Sequence, residues 1–131
     1  GILQDESVAQ HRERGLVAVN VGNLHTLAVL LRGERVLGLF EHHTARMSPQ
    51  KLAGLVERLR AGTLTDAEVF DNGGHGACIH PDHVPGDGFD FVAVTGPQRH
   101  LAAGLGYYFA APHGDMMLTG CFGLVAAVSG L

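Results

Sequence analysis

Three short apolar runs, separated by turns of only three or four residues, most constrain how this chain can fold. The runs span residues 16–21, 26–31 and 35–41. They are rich in valine and leucine, and short runs of this kind bounded by turn residues are typical of β-strands. Turns this short join antiparallel neighbours, because a parallel pair needs a long crossover. The sequence therefore predicts an antiparallel meander of three strands.

The pattern then changes to helical spacing. Ser48 and Pro49 predict the N-cap and first residue of a helix, and one face of that helix carries Leu52, Leu55, Val56 and Leu59. Thr65 and Glu68 predict a capping box for a short helical turn over residues 65–70. Residues 71–88 contain many glycines, histidines and prolines, and we expect them to form a long loop.

Two further strands are predicted at residues 89–95 and 107–111. A helical stretch of about eight residues follows Pro97, and a last helix covers residues 115–128. The predicted order is β-β-β-α-β-α-β-α. Right-handed crossovers would place the last two strands parallel to the first and beside it, with helices on both faces of a mixed α/β sheet.

This order resembles the ribonuclease H-like fold, which recurs in duplicate in the actin-like ATPases, including sugar kinases and heat-shock chaperones. The resemblance covers residues 15–131, and residues 1–14 are expected to be a polar linker or a short helix over residues 6–14. The chain begins with Gly1 rather than Met. We therefore expect it to be the C-terminal part of a longer protein, with a missing N-terminal domain as its partner, and a homo-oligomer stays open.

Composition restricts the classes of partner. A chain of 131 residues has the size of one domain. Its net charge of −4, with no basic run, argues against nucleic-acid binding. No apolar run approaches the roughly 18 residues of a membrane span, and no signal peptide is present, so a cytoplasmic location is expected. Cys78 and Cys121 are expected to be reduced, with a disulfide as the alternative.

Three loops follow the carboxyl ends of the predicted parallel strands, where ligands bind in open α/β sheets. The first contains Asn20, Gly22, Asn23 and Thr26 and resembles the phosphate-binding hairpin of the actin-like ATPases. That resemblance implies ATP or another phosphate ligand with Mg²⁺. Asn20 stands where an aspartate usually manages the magnesium, which weakens the expectation of phosphoryl transfer because an amide lacks the negative charge that Mg²⁺ prefers.

The other two of these loops, which we call strand exits, and one pair of glycines complete the candidate ligand sites. Thr95 and Gly96 resemble the turn that meets adenosine in the same ATPases, although a plain strand-to-helix turn with Pro97 at its start is the favoured interpretation. Gly73 and Gly74 could present backbone N–H groups to an anion, or simply turn the chain. The third exit covers residues 112–115.

Histidine is over-represented, with nine residues. The candidate catalytic residues are His43, His75, His113 and Asp115, as acid–base groups or as part of a His/carboxylate metal site. No spacing matches a known metal motif, so the metal is left unassigned. Asp115 also suits a helix cap. Whether the domain is an enzyme stays open, and a structural or dimerisation module is a third possibility.

Several runs together are similar to a prokaryotic family often labelled pyruvate formate-lyase activating enzyme. They are FEHHT at residues 40–44, VFDNGGHG at 69–76, VTGP at 94–97 and PHGDMM at 112–117. The label implies radical chemistry with S-adenosylmethionine and a [4Fe–4S] cluster. Such a cluster needs closely spaced cysteines in a CxxxCxxC arrangement. The chain has two distant cysteines, so we expect no such chemistry within it.

Overall fold

The computed structural model describes residues 1–130, so Leu131, the last residue of the predicted 15–131 domain, lies outside the described residues. Six strands form one mixed sheet in the spatial order β4-β3-β2-β1-β5-β6. The strands are β1 Leu16–Val21, β2 His25–Arg32, β3 Arg35–His43, β4 Gly74–Ile79, β5 Phe91–Thr95 and β6 Tyr108–Phe109. The α-helices are α1 Glu6–Ala9, α2 Pro49–Arg60, α3 Asp66–Asp71 and α4 Thr119–Ser129.

The pairing predicted for the five expected strands is confirmed. Strands β1, β2 and β3 form the antiparallel meander, with Val21 opposite Thr26 and Arg32 opposite Arg35. Strand β5 pairs with β1 in parallel, and β6 pairs with β5 in parallel. The protein is therefore a mixed α/β protein in which the carboxyl ends of three parallel strands lie along one edge of the sheet.

The prediction of a continuous loop over residues 71–88 was wrong, because β4 lies within it. This strand pairs antiparallel with β3, with Cys78 opposite Leu39. The strand is not recognisable from the sequence, because Gly74 and Gly76 interrupt the alternation of apolar and polar residues that is typical of a strand. Gly74 is required by packing: a Cβ there would lie 2.7 Å from both the His42 ring and a Val69 methyl group.

The last third of the chain has shorter elements than predicted. Strand β5 begins at Phe91 and β6 has only two residues. The helical stretch after Pro97 is a single 3-10 turn, Arg99–Ala102, which ends where the backbone of Ala103 leaves the helical conformation. Helix α4 begins at Thr119 rather than at residue 115, after a separate 3-10 turn over Met116–Leu118.

The main core lies between α2 and one face of the sheet. Leu52, Val56 and Leu59 of α2 are buried in one cluster with β1 and β3 residues, including Phe40. The predicted N-caps are confirmed: Ser48 Oγ accepts the Lys51 N–H at 3.1 Å, and Thr65 Oγ1 accepts the Glu68 N–H at 3.3 Å. These caps fix where the helices start and hence which residues face the sheet.

The opposite face of the sheet is only partly covered. Val8 of α1 packs there with Leu16, Ala93 and Ala110 in a second, smaller core. Of the two alternatives for residues 1–14, the structure has a helix, over Glu6–Ala9 rather than 6–14. Helix α4 buries none of its residues, and it exposes 65–71% of Leu124, Val125 and Val128. Within residues 1–130, no helix combines the length and apolarity needed to cross a membrane.

Asp5 connects the N-terminal segment to β6 and the residues that follow it by hydrogen bonds. Its carboxylate accepts hydrogen bonds from the Tyr108 hydroxyl at 3.2 Å, the Ala111 N–H at 3.0 Å and the Ser7 N–H at 3.0 Å. We expect Asp5→Ala to lower the free energy of unfolding by about 1–3 kcal/mol, because several donors lose their partner at once. Urea denaturation measures this change. Asp115→Ala is the matched control, since Asp115 caps only an exposed 3-10 turn, and an equal loss in both variants would contradict the prediction.

Candidate functional site

Three imidazole rings meet at the edge of the sheet where β1 ends. His25 begins β2, His43 ends β3 and His75 is the second residue of β4. The ring centroids of His25 and His43 are 5.1 Å apart, those of His25 and His75 are 4.8 Å apart, and those of His43 and His75 are 4.6 Å apart. One ring nitrogen from each residue lies within 4.8 Å of the other two. We call these three residues the histidine cluster.

Strand register brings the histidine cluster together. His25 lies directly opposite His43 in the β2–β3 ladder. The turn before β2 is closed by the Gly22 N–H, which donates to the His25 carbonyl at 2.9 Å. On the other side, β4 pairs with β3 with a register shift between Glu41 and His42. The rings are thus placed by backbone pairing of three neighbouring strands rather than by a flexible loop.

A carboxylate supports one member of the cluster. Glu41 Oε1 lies 3.0 Å from His25 Nδ1. Because the carboxylate contacts Nδ1, Nε2 is the ring nitrogen left for a metal. Carboxylates in this position orient metal-binding histidines and raise their basicity. Glu41 therefore gives His25 the environment of a metal ligand.

The environment of His43 favours its neutral form. Desolvation lowers the pKa of His43, and the neighbouring His75, His25, His42 and Arg46 lower it further because positive charges there oppose its protonation. Only a neutral imidazole has a free lone pair for a metal. A neutral His43 can therefore offer a ring nitrogen to a metal.

Three histidines with one open position match the ligand set of catalytic zinc sites. With Zn–N bonds of about 2.0–2.1 Å, nitrogens around a tetrahedral ion lie about 3.4 Å apart. The ring nitrogens of the histidine cluster lie within 4.8 Å of one another, so small side-chain rotations would bring them to coordinating distance. A metal held in this way would keep a coordination position for water or a ligand.

A pocket of about 380 Å³ opens on the same face of the sheet as the cluster. Leu27 and Val29 of β2 line it, and they share a face with His25 because alternate residues of a strand point the same way. Across the sheet, Thr95, Asn20, Leu27 and Glu41 lie in one row of paired residues. The first three residues of this row line the pocket, and the fourth, Glu41, is the carboxylate that contacts His25.

The pocket is lined mainly by apolar groups, and none of its lining side chains carries a charge. Its side chains include Ala18, Leu27, Val29 and Met116, with polar groups from Asn20, Thr95 and Thr119. Two of the three predicted strand exits reach it directly, through Asn20 and through Thr95 and Gly96. After the third strand, the pocket is lined by Met116, Met117, Thr119 and Gly120, whereas the predicted residues 112–115 do not line it.

The structure brings together two of the four candidate catalytic residues. His43 and His75 belong to the cluster, and the third member, His25, was missed. The predicted meander contained the missing signal, because a short turn places the start of β2 beside the end of β3. His113 instead packs its ring against Phe122, with centroids 4.7 Å apart. Asp115 Oδ1 accepts the Met117 N–H at 2.9 Å, so its predicted capping role is confirmed, on a 3-10 turn.

The remaining candidate ligand-binding residues are dispersed. Thr26 is fully buried, and its hydroxyl shares a hydrogen bond of 2.9 Å with Thr44. Asn23 Oδ1 accepts from Gln98 at 2.9 Å, and Gly22 belongs to the hairpin turn. Gly73 lies beneath the Arg46 side chain, and Gly74 begins β4. Of the eight candidates, Asn20, Thr95 and Gly96 are the ones that line the pocket.

Comparison with known proteins gives one match. Residues 1–101 match the model of a family described as "Putative pyruvate format-lyase activating enzyme (DUF1786)". No curated protein and no solved structure is significantly similar to the chain. The matched region includes β1 to β5, and with them the whole histidine cluster and the sheet side of the pocket.

Proposed function

The chain belongs to the DUF1786 family, and we propose that the matched region is a metal-dependent enzyme domain that binds a divalent transition metal. The ligands are His25, His43 and His75. The proposal rests on one observation: three imidazoles from three adjacent strands converge at a solvent-accessible edge, and a carboxylate supports one of them. A ligand set of three histidines suits zinc and neighbouring first-row metals.

The chemistry implied by the family description needs a different ligand set. A [4Fe–4S] cluster is held by cysteine thiolates. Cys78 and Cys121 are both free and exposed, and two cysteines cannot supply the three closely spaced ligands that such enzymes use. The residues of this chain therefore do not fit an iron–sulfur cluster, and we assign it no radical chemistry.

A zinc-type ion supplies Lewis-acid chemistry: it lowers the pKa of a bound water and polarises a bound carbonyl. The chain's own residues would hold the ion through imidazole nitrogens and orient His25 through Glu41. The mainly apolar side chains of the pocket beside the cluster would limit access of water to a bound ligand. This combination favours a hydrolytic or other polar reaction over electron transfer.

Metal titration of the untagged protein tests the proposal. We expect one equivalent of Zn²⁺ to bind in calorimetry, and Co²⁺ to give the visible absorption bands of a tetrahedral site. His100→Ala is a suitable control, because His100 is exposed on a 3-10 turn outside the cluster, and it should bind metal as the wild type does. Binding of less than about one-tenth of an equivalent would overturn the proposal.

Replacing the supporting carboxylate should weaken metal binding without abolishing it. We expect Glu41→Gln to reduce Zn²⁺ affinity by about 10–100-fold, the usual effect of losing a partner of a metal-binding histidine. Competition with a chromophoric chelator measures the change. Glu57→Gln removes a carboxylate that pairs with Arg60 on α2, and unchanged affinity in that control separates a local effect from one of net charge.

A second candidate function is one half of an actin-like nucleotide- or phosphate-binding protein. Without β4, the spatial order β3-β2-β1-β5-β6 resembles the ribonuclease H-like sheet, and residues following three parallel strands line one pocket. The nucleotide would lie between this domain and a partner half elsewhere in a longer chain. No lysine or arginine lines the pocket, which makes this the weaker candidate. Calorimetry of the longer protein with ATP and Mg²⁺ tests it, and absence of heat at millimolar nucleotide would contradict it.

A further inference from the structure

We infer that the histidine cluster and the pocket form a single ligand site, which takes a small molecule with an anionic oxygen head and an apolar tail. This inference rests on the proposed metal function. The head would bind at the metal position and the tail would lie in the pocket. Three features support it: the adjacency of the two parts, the character of the pocket wall, and a positive charge beside the cluster.

The pocket and the cluster are neighbours on the same face of the sheet, although no residue of the cluster lines the pocket. His25 and Leu27 are two positions apart on β2 and face the same way, which places their Cα atoms about 6.5–7 Å apart. Leu27 lines the pocket, and its partner across the strand pair is Glu41, which contacts His25 at 3.0 Å. A ligand of a few carbon atoms is therefore long enough to span both parts.

The pocket wall suits a tail without charges and with few polar groups. Its apolar side chains come from the sheet and from four residues outside it, Ile2, Pro97, Met116 and Met117. Its two hydroxyls are already engaged: Thr95 and Thr119 share a hydrogen bond of 3.2 Å, and Thr119 Oγ1 also donates to the Met116 carbonyl at 2.6 Å. Asn20 remains as one polar side chain that could select a tail carrying a single polar atom.

Positive charge beside the cluster favours an anionic head. The Arg46 side chain lies against Gly73, where an added Cβ would come within 2.9 Å of the guanidinium carbon. Among residues 1–130, Arg46 makes no ion pair with an acidic side chain. Gly73 lies two residues before His75, so an anionic head bound at the cluster would lie near this guanidinium.

Alkyl hydroxamates of increasing length test the inference on the Zn²⁺-loaded protein. We expect affinity to rise about two- to fourfold for each added methylene from acetohydroxamate through butano- and hexano- to octanohydroxamate, because each methylene buries more apolar area. Leu27→Asn should flatten this dependence, and Val29→Thr, which nearly preserves side-chain shape, should weaken it. Leu124→Asn, a change on exposed α4 outside the pocket, should leave the dependence intact.

The outcomes separate this inference from the metal proposal. If the protein binds Zn²⁺ and acetohydroxamate but affinity does not depend on tail length, the single-site inference is overturned and the metal site stands. The same holds if Leu27→Asn and Val29→Thr both keep the full length dependence. If the wild-type protein binds no Zn²⁺, both proposals are overturned together.

Discussion

His75→Ala is expected to weaken Zn²⁺ binding by more than about 100-fold. The substitution removes one of three metal ligands, which costs more than the about 10–100-fold lost with a supporting group. His75 is exposed on β4 and fills no part of the core, so the variant should fold normally. Calorimetry and the visible spectrum with Co²⁺ measure the loss, and the tetrahedral cobalt bands should disappear.

A matched control keeps this test specific. His80 follows β4 directly and is exposed, and its ring contacts Asp82 rather than the cluster. We expect His80→Ala to bind Zn²⁺ as the wild type does. If both variants lose affinity equally, or neither does, the metal is not bound by the cluster. The thermal midpoint of each apo-protein shows whether a loss of fold contributes.

Phe40→Ala is expected to lower the free energy of unfolding by about 3–5 kcal/mol. Phe40 is fully buried at the centre of the main core, on the face of β3 that packs toward α2. Removing its ring loses apolar burial and leaves a cavity that the rigid sheet cannot close. Because a domain of this kind is stable by only about 5–15 kcal/mol, urea denaturation should show a large shift of the midpoint.

The neighbouring residue supplies the comparison. Leu39 precedes Phe40 on the same strand, faces the other side of the sheet and is 37% exposed. We expect Leu39→Ala to cost about 1 kcal/mol or less, since surface substitutions seldom cost more. Equal losses of unfolding free energy in the two variants would mean that the face carrying Leu39 is also buried, by another part of the protein or by a second molecule.

Local chemistry made the first half of the fold predictable. Short turns between apolar runs specify antiparallel partners, and this was sufficient for β1 to β3. Ser48 and Thr65 were recognisable as caps because an N-cap acts on backbone groups two or three residues away. Asp115 was identified for the same reason. Parallel pairing of β5 and β6 beside β1 followed from the handedness of crossovers.

Features that depend on distant residues were not predictable in this way. Strand β4 exists because β3 offers an edge to pair with, while its own glycines lack strand propensity. The length of the final helices was overestimated, since apolar spacing alone does not show where a 3-10 turn replaces an α-helix. The histidine cluster joins residues from three strands, so His43 and His75 were noticed singly and His25 was overlooked.

The contact of Asp5 with the end of the sheet has a consequence for the order of folding. Its partners Tyr108 and Ala111 lie 103 and 106 positions away. At about 5–20 residues per second of synthesis, the ribosome needs roughly 5–20 s to deliver them after Asp5 has been made. During that time the meander can form from local contacts, but Asp5 and the N-terminal helix cannot yet contact β6, because that strand has not been synthesised. The smaller core around Val8 is therefore expected to be the last part of the nascent chain to acquire its native contacts.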